Sequence, residues 1–301
     1  MNHRLVLLLN IFISTLFFEI LISEDYKRIP PIDFKKGLNI NILPKSYDND
    51  IMSRPISTVE IDKIKEKSFN YMPKLITSHD IIVIKTSLGT MKGIFYSDVA
   101  PKHCLNFKKL ANSGFYDGVK FHRVMPNFMI QGGDILSRDG NRNNDGTGNP
   151  GWTVDAEFNI RKHIRGTISM ARSPGDYNSA GSQFFICLGN QPHLDGEYTA
   201  FGQIDLSSDS KTNAILNHIA NTPTDAQYVL AMSSDIIPDN EDITKWIMLK
   251  NPKTRKPIYL KVPNGEEKNA FNLEMRSKLY SNNPVVPIFI EEIRVIDSRE
   301  R

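Results

Sequence analysis

Residues 121–134 read FHRVMPNFMIQGGD, and this stretch decides how the rest of the chain is interpreted. Two short apolar-rich runs, 121–124 and 128–130, flank a Met-Pro-Asn turn and end at a glycine pair, a pattern typical of a β-hairpin. The hairpin would bring four side chains together: Arg123, Phe128, Met129 and Gln131. A cation, two large apolar groups and an amide suit a groove for an uncharged extended peptide better than a site that makes or breaks covalent bonds.

The sequence on either side predicts many short strands and few helices. A hairpin is predicted from residue 81 to 96, and further strands are predicted at 166–171, 183–187, 199–204 and 287–296. One helix begins near Pro101, which is favourable in a first turn, and ends at Gly114; a second helix covers 211–220. We therefore expect a mainly β protein built as a closed β-barrel.

Three further segments complete the predicted organisation. Residues 1–23 combine Arg4, an apolar run at 5–22 and a polar exit, which is typical of a signal peptide. The run is also near the length that spans a bilayer, so an uncleaved membrane anchor through residues 5–22 is the alternative. In both cases we expect an exported protein, located in the periplasm or cell envelope, secreted or anchored.

The polar segment 24–78 is interpreted as a linker, with a short helix after a capping box formed by Ser57 and Glu60; its isoleucines would also allow it to pack on the domain surface. The folded domain is predicted over 79–297. It carries a polar, proline-containing insertion at about 227–283, in which we expect a strand at 258–262 and a helix at 268–279. The sequence assigns this insertion no role.

Composition excludes several classes of function. In 301 residues, 40% are hydrophobic, which is enough for a sizeable core, and a net charge of only +3 gives no electrostatic case for nucleic acid. The two cysteines, Cys104 and Cys187, lie in apolar patterns and are predicted to be buried free thiols. The seven histidines show no HExxH or other close ligand spacing, so we predict no metal and no cofactor.

Several blocks of sequence, in order and in register, resemble the cyclophilin-type peptidyl-prolyl cis-trans isomerases, in a form similar to the bacterial branch. The blocks are FHRVMPNFMIQGGD at 121–134, DGTG at 145–148, SMAR at 169–172, AGSQFFICLG at 180–189 and LDGEYTAFGQI at 194–204. The resemblance covers residues 81 to about 220 and the final strand. It implies an eight-stranded antiparallel β-barrel capped by two helices, with a substrate groove on the outer surface.

The resemblance also implies roles for individual residues. Arg123 corresponds to the catalytic arginine. The residues that correspond to the proline pocket and the groove are Phe128, Met129, Gln131, Gly146, Ala171, Arg172, Gln183, Phe185, His193, Leu194 and Tyr198.

The chain departs from the family pattern at three of these positions. Arg172 stands where many eukaryotic members have Asn, and the Met-Ala-Arg form is similar to bacterial members. His193 stands where cyclosporin-sensitive members have Trp, and Tyr198 stands where others have His. We expect activity to be retained with Arg123 and strong cyclosporin binding to be lost.

Amide rotation itself requires no covalent chemistry. The barrier of about 18–20 kcal/mol arises from delocalisation of the nitrogen lone pair, and the nitrogen regains that lone pair in the twisted transition state. A fixed guanidinium that donates to this nitrogen would favour the transition state selectively. His122 beside Arg123 invites an acid or base role, but strand alternation would turn the two side chains to opposite faces, so we predict a structural hydrogen bond for His122.

The sequence thus predicts a peptidyl-prolyl isomerase that acts on proline-containing peptides and on unfolded or folding proteins, where slow proline steps limit folding. The alternative is a binding module, scaffold or chaperone that holds proline-containing partners with little turnover. In a third interpretation, the segments 24–78 and 227–283 dock onto a partner complex and the barrel serves as a platform.

Overall fold

The structure, a computed structural model, describes residues 54–206 and 210–299. The apolar run at 5–22 and most of the predicted linker lie outside the described residues, so the signal peptide or anchor stays a prediction. Among the described helices, none is both long enough and apolar enough to cross a bilayer.

Ten strands are found in the described part of the chain. They are β1 (Asp80–Thr86), β2 (Gly89–Phe95), β3 (Arg123–Met125), β4 (Met129–Gly132), β5 (Thr167–Met170), β6 (Phe184–Cys187), β7 (Ala200–Ile204), β8 (Trp246–Lys250), β9 (Pro257–Lys261) and β10 (Ile290–Asp297). Eight of them form one antiparallel sheet in the order β10-β1-β2-β7-β5-β6-β4-β3, and β8 pairs with β9. The predicted mainly β, eight-stranded antiparallel architecture is confirmed.

Hydrogen bonds link the segment that precedes β3 to the region where β10 begins. Lys120 and Phe289 form an isolated antiparallel bridge. The Gly118 N–H donates to the Ile290 carbonyl over 2.8 Å, and the Ile290 N–H donates to the Val119 carbonyl over 2.7 Å. The contact therefore runs between the segment that leads into β3 and the start of β10.

Five α-helices accompany the strands: α1 (Thr58–Asn70), α2 (Pro101–Ser113), α3 (Ser210–Ala220), α4 (Asp225–Met232) and α5 (Lys268–Leu279). The predicted limits of α2 are confirmed, because Pro101 is its first residue and Gly114 follows it with φ of 85°, a left-handed conformation that suits glycine. The helix α3 packs against β2, β3 and β4. These two helices are the ones predicted to cap the barrel.

Aromatic side chains fill the core between α2 and the sheet. The Phe107 ring lies 5.2, 5.4 and 5.1 Å from the ring centres of Tyr116, Phe184 and Phe201, and all four side chains are fully buried. Such close aromatic pairs stabilise a core beyond the area that they bury. Cys104 is buried and free, and so is Cys187, as predicted.

The insertion predicted at about 227–283 has a small hydrophobic core of its own. The helix predicted at 268–279 is observed as α5, and the strand predicted at 258–262 is observed as β9, one residue earlier. Two elements, α4 and β8, were not predicted. The core consists of Val229, Ile247, Leu249, Ile258, Leu260, Phe271, Met275 and Leu279.

The end of the predicted linker lies against the domain. The capping box of Ser57 and Glu60 begins α1, as predicted. Ile61 is buried, and the Ser113 hydroxyl donates to the Ser68 hydroxyl over 2.8 Å. The described part of this segment therefore packs on the domain surface, the second of the two arrangements that its sequence allowed.

Candidate active site

The hairpin of β3 and β4 places Arg123 directly opposite Gln131. Its turn is tight: the Phe128 N–H donates to the Met125 carbonyl over 3.0 Å, and Asn127 adopts a positive φ of 61°. Asparagine tolerates this left-handed conformation better than most residues. The turn thereby fixes the register in which the arginine and the glutamine face each other.

Strand alternation places the predicted site residues on one face of the sheet. The register pairs Gln131 with Phe185 and Met129 with Cys187 across β4 and β6. Because every second side chain points to the same face, these four residues share a face with Arg123. The residues between them point to the core, where Ile130 is fully buried.

A chain of amide hydrogen bonds begins at Arg123. Its Nη1 donates to Oε1 of Gln131 over 3.2 Å, and Nε2 of Gln131 donates to Oε1 of Gln183 over 2.9 Å. Nε2 of Gln183 then donates to the carbonyls of Gly146 and Gly148, each over 2.9 Å. The guanidinium is therefore positioned through two side-chain amides and the backbone of the loop that contains Gly146.

Asp134 anchors the same loop from inside the protein. Its carboxylate accepts from the Leu136 N–H over 2.8 Å and from the Gly146 N–H over 2.5 Å, and the side chain is fully buried. Burial raises the pKa of the Asp134 carboxyl, against these backbone hydrogen bonds. A Cβ at Gly148 would lie 1.9 Å from the carboxylate, so the glycine is required for this close approach.

An apolar cluster, which we name the apolar pocket, lies beside the amide chain. Its buried members are Met129, Phe185, Cys187 and Leu194, and its half-buried members are Met125, Phe128, Ala171 and Tyr198. The pocket thus gathers the predicted proline-pocket residues, together with Cys187 and Met125. Neither of these two residues was predicted for the site, although alternation along β6 and β3 indicates both.

Two aromatic contacts shape the rim of the apolar pocket. The imidazole of His193 stacks on Phe128 at 5.6 Å between ring centres. The guanidinium of Arg172 lies 4.5 Å from the ring centre of Tyr177 and 4.6 Å from that of Tyr198, between the two rings. Arg172 therefore holds the Tyr198 side chain against the pocket, since guanidinium groups stack well on aromatic faces.

A buried histidine that sequence analysis did not single out supports the floor of the apolar pocket. The His163 ring stacks on Phe185 at 6.0 Å between ring centres. Its Nδ1 lies 3.0 Å from Oδ1 of Asp195, and its Nε2 lies 2.9 Å from the hydroxyl of Ser169. Burial lowers the pKa of His163, against the carboxylate of Asp195. A histidine with both nitrogens satisfied in this way fixes an orientation and offers no free proton acceptor.

The facing that strand alternation predicts for His122 is wrong. The side chain is buried, and the backbone of Lys120 lies close enough to oppose the lowering of its pKa. His122 also lines the same cavity as Arg123, because residue 122 precedes β3 and strand alternation does not apply to it. Burial lowers the pKa of the imidazole to about 4, so it is neutral at pH 7.

Arg123 carries a fixed positive charge at the site. Burial lowers the pKa of the Arg123 guanidinium, and Tyr198 opposes that shift. An arginine pKa begins above about 12, so the group stays charged at any working pH. Fold and site together define an antiparallel β-sheet protein with an apolar pocket and a charged hydrogen-bond donor on one face.

Comparisons with known proteins identify the family. The model of the cyclophilin type peptidyl-prolyl cis-trans isomerase family matches residues 81–239. A peptidyl-prolyl cis-trans isomerase of Synechococcus elongatus is 46% identical over 123 residues, which is 41% of this chain and 79% of that protein. One from Helicobacter pylori is 41% identical over 156 residues, covering 51% of this chain and 83% of that protein. The chain therefore belongs to the cyclophilin-type peptidyl-prolyl cis-trans isomerase family and is an enzyme of that class.

A solved structure is also similar. The cyclophilin type peptidyl-prolyl cis-trans isomerase of Cryptosporidium parvum, crystallised in the presence of the dipeptide Ala-Pro, is 25% identical. The superposition covers 72% of this chain and 98% of the Cryptosporidium chain, with a TM-score of 0.47.

Proposed function

We propose that this enzyme accelerates rotation about X-Pro bonds by a hydrogen bond from Arg123 to the twisted amide nitrogen, while the apolar pocket holds the proline ring. One observation carries the proposal. A half-buried guanidinium, fixed by Gln131, lies on the same sheet face as Met129 and Phe185. That arrangement pairs a directed positive donor with apolar walls.

The physical reason for an arginine lies in the change at the proline nitrogen. A planar amide nitrogen hardly accepts a hydrogen bond, whereas the pyramidal nitrogen of the twisted state does. A hydrogen bond donated to that nitrogen is therefore stronger in the transition state than in the ground state, and this difference accelerates the reaction. A 10⁵-fold acceleration needs about 7 kcal/mol of such differential binding.

The groove amides have a separate role in the proposal. When the proline ring is held, rotation moves the carbonyl of the preceding residue. The Gln131 amide lies beside Arg123 and can donate to that carbonyl as it turns. Gln183 keeps Gln131 in place through a 2.9 Å hydrogen bond. The amides thereby add orientation without any nucleophile, general base or metal.

The proposed substrates are proline-containing peptides and proteins that fold outside the cytoplasm. X-Pro isomerisation takes tens to hundreds of seconds without a catalyst and limits folding of such proteins. Support for export comes from the sequence alone, through Arg4, the apolar run at 5–22 and the polar residues that follow. Fractionation of cells that carry the tagged full chain would test this location.

The test of the proposed activity is the cis-to-trans rate of a short X-Pro peptide with the full chain. Arg123→Ala is compared with Arg161→Ala, whose side chain pairs with Asp98 on the exposed surface. We expect acceleration by the parent and by the Arg161 variant and its loss in the Arg123 variant. A folded parent without acceleration would overturn the proposal and would support the binding module instead.

A further inference from the structure

A cavity of about 740 Å³ extends the candidate active site beyond Arg123 and Gln131, which line it. Its opposite wall is formed by α5 and the segment 280–283, and these residues lie outside the range 81–239 that matches the family. Ligand pockets in proteins have volumes of roughly 300–1,000 Å³. The cavity is therefore large enough for several residues of a peptide.

The inserted wall is fixed to the loop that leads to Gly146. Arg142 forms an ion pair with Asp225 at 2.8 Å, and Nδ2 of Asn283 donates to Oδ2 of Asp145 over 3.0 Å. Asn283 belongs to the inserted wall and Asp225 lies just before the insertion, whereas Arg142 and Asp145 precede Gly146. The two walls are thus held at a set distance, as a preformed binding site requires.

Apart from Arg123, the basic side chains that line the cavity are paired with carboxylates of the protein. Arg142 is neutralised by Asp225, and Lys278 pairs with Glu274 over 2.5 Å one turn earlier on α5. Paired charges leave little net attraction for an ionic ligand. The lining therefore favours an uncharged occupant with hydrogen-bonding groups.

Two features of the lining point to such an occupant. The imidazole of His122 lines the cavity, and a neutral imidazole can both donate and accept a hydrogen bond. On the inserted wall, Leu273 and Tyr280 are 69% and 63% exposed, so large apolar surfaces face the opening. A peptide has both backbone amides and apolar side chains to meet these groups.

We propose that this cavity binds the stretch of the substrate chain that adjoins the proline, as an uncharged extended peptide with an aliphatic or aromatic side chain resting on Leu273 and Tyr280. The inference rests on the proposed function and adds substrate selection to it. An extended chain advances about 3.3 Å per residue, so a chain leaving Arg123 would follow the cavity over several residues. The insertion thereby makes this enzyme selective for longer, apolar sequences around proline.

The test compares isomerisation of a tetrapeptide with that of peptides extended by four residues on either side of the same X-Pro bond. Each extension carries one Phe, and a matched peptide carries Ser at that position. The full chain is compared with Leu273→Ser/Tyr280→Ser, and with Met248→Ser as control, since Met248 is 63% exposed in the insertion and does not line the cavity. The measured quantity is the ratio of kcat/KM for long and short peptides, obtained by exchange NMR.

We expect this ratio to be about ten for the Phe-containing extension on at least one side, because burial of one apolar side chain contributes that much binding. The ratio should fall to near one for the double variant and for the Ser peptide, and Met248→Ser should keep it. The inference would be overturned if the ratio were near one in the parent, or if the double variant kept the parent's ratio of about ten. Absence of acceleration for every peptide, short ones included, would instead overturn the proposed function.

Discussion

The guanidinium of Arg123 donates over 3.2 Å to the amide oxygen of Gln131, the residue directly opposite it across the β3–β4 ladder. A long, half-buried side chain loses rotamer freedom when it is held in this way. Because this entropy is already lost in the folded enzyme, Arg123 needs no further ordering when the reaction takes place. The register of one short hairpin thus sets the direction of the proposed catalytic donor.

Loss of the Gln131 amide should leave Arg123 in place but less well directed. We expect Gln131→Ala to lower kcat about tenfold, since a hydrogen bond to a charged group contributes about 1.5 kcal/mol, with a smaller change in KM. Steady-state isomerisation kinetics measure the split, and thermal unfolding checks the fold. An unchanged kcat would show that the guanidinium needs no such support.

The ring of Phe128 should contribute to binding more than to turnover. Phe128→Ala removes a half-buried wall of the apolar pocket that stacks on His193, so we expect KM to rise about tenfold with little change in kcat. Phe69→Ala is the matched control, because Phe69 is 64% exposed and its ring pairs with Trp152, which is not a pocket residue. Equal effects of the two substitutions on KM would contradict this assignment.

Gly148 should not tolerate a side chain. A Cβ there would lie 1.9 Å from the Asp134 carboxylate and 2.9 Å from the Leu136 nitrogen, so Gly148→Ala forces the loop away from its anchor. We expect a loss of about 2 kcal/mol in the free energy of unfolding, together with faster amide hydrogen exchange at residue 146. Urea unfolding and exchange measurements test both, and unchanged protection of the Gly146 amide would argue against the anchoring role of Asp134.

The carboxyl of Asp145 should make stability depend on pH. Burial raises its pKa to about 6, although Lys120 opposes the shift. The folded chain keeps this proton at pH values where the unfolded chain has lost it. The contribution of Asp145 to stability is therefore fully present below about pH 4 and is lost as the pH rises through 6.

Asp145→Asn removes this titration and keeps an oxygen that can accept from Asn283. We expect the free energy of unfolding of the variant to exceed that of the parent by about 1 kcal/mol at pH 7.5, after an allowance for solvent screening. At pH 4 the two free energies should be equal. Urea unfolding at the two pH values measures the difference. A difference of the same size at both values would exclude Asp145 as its source.

Local patterns made much of the fold predictable. The hairpin at 121–134 follows from two apolar runs around a turn, and α2 follows from Pro101 at its start and Gly114 at its end. The helix α5 matched its predicted residues. Alternation then places Arg123 and Gln131 on a common face, without any knowledge of distant contacts.

Other features depended on signals that are weaker or absent from the sequence. The helix α4 begins with a capping box of Thr224 and Gln227. This motif can be found in the sequence, but it stands at the start of a polar segment, and no helix was predicted there. The environment of His122 was not predictable, because strand alternation does not determine the side-chain direction of a residue that precedes a strand. The cavity between Arg123 and α5 forms from segments about 150 residues apart, and their approach has no local pattern.

Exchange NMR of one X-Pro peptide with the full chain and with its Arg123→Ala variant separates binding from catalysis at Arg123, because the same sample gives both peptide affinity and the rate of cis-trans exchange. We expect the variant to bind the peptide within about threefold of the parent, since the apolar pocket is intact, and catalysed exchange to fall at least about 100-fold. Catalysed exchange that persists within a few-fold of the parent would contradict the proposed role of Arg123.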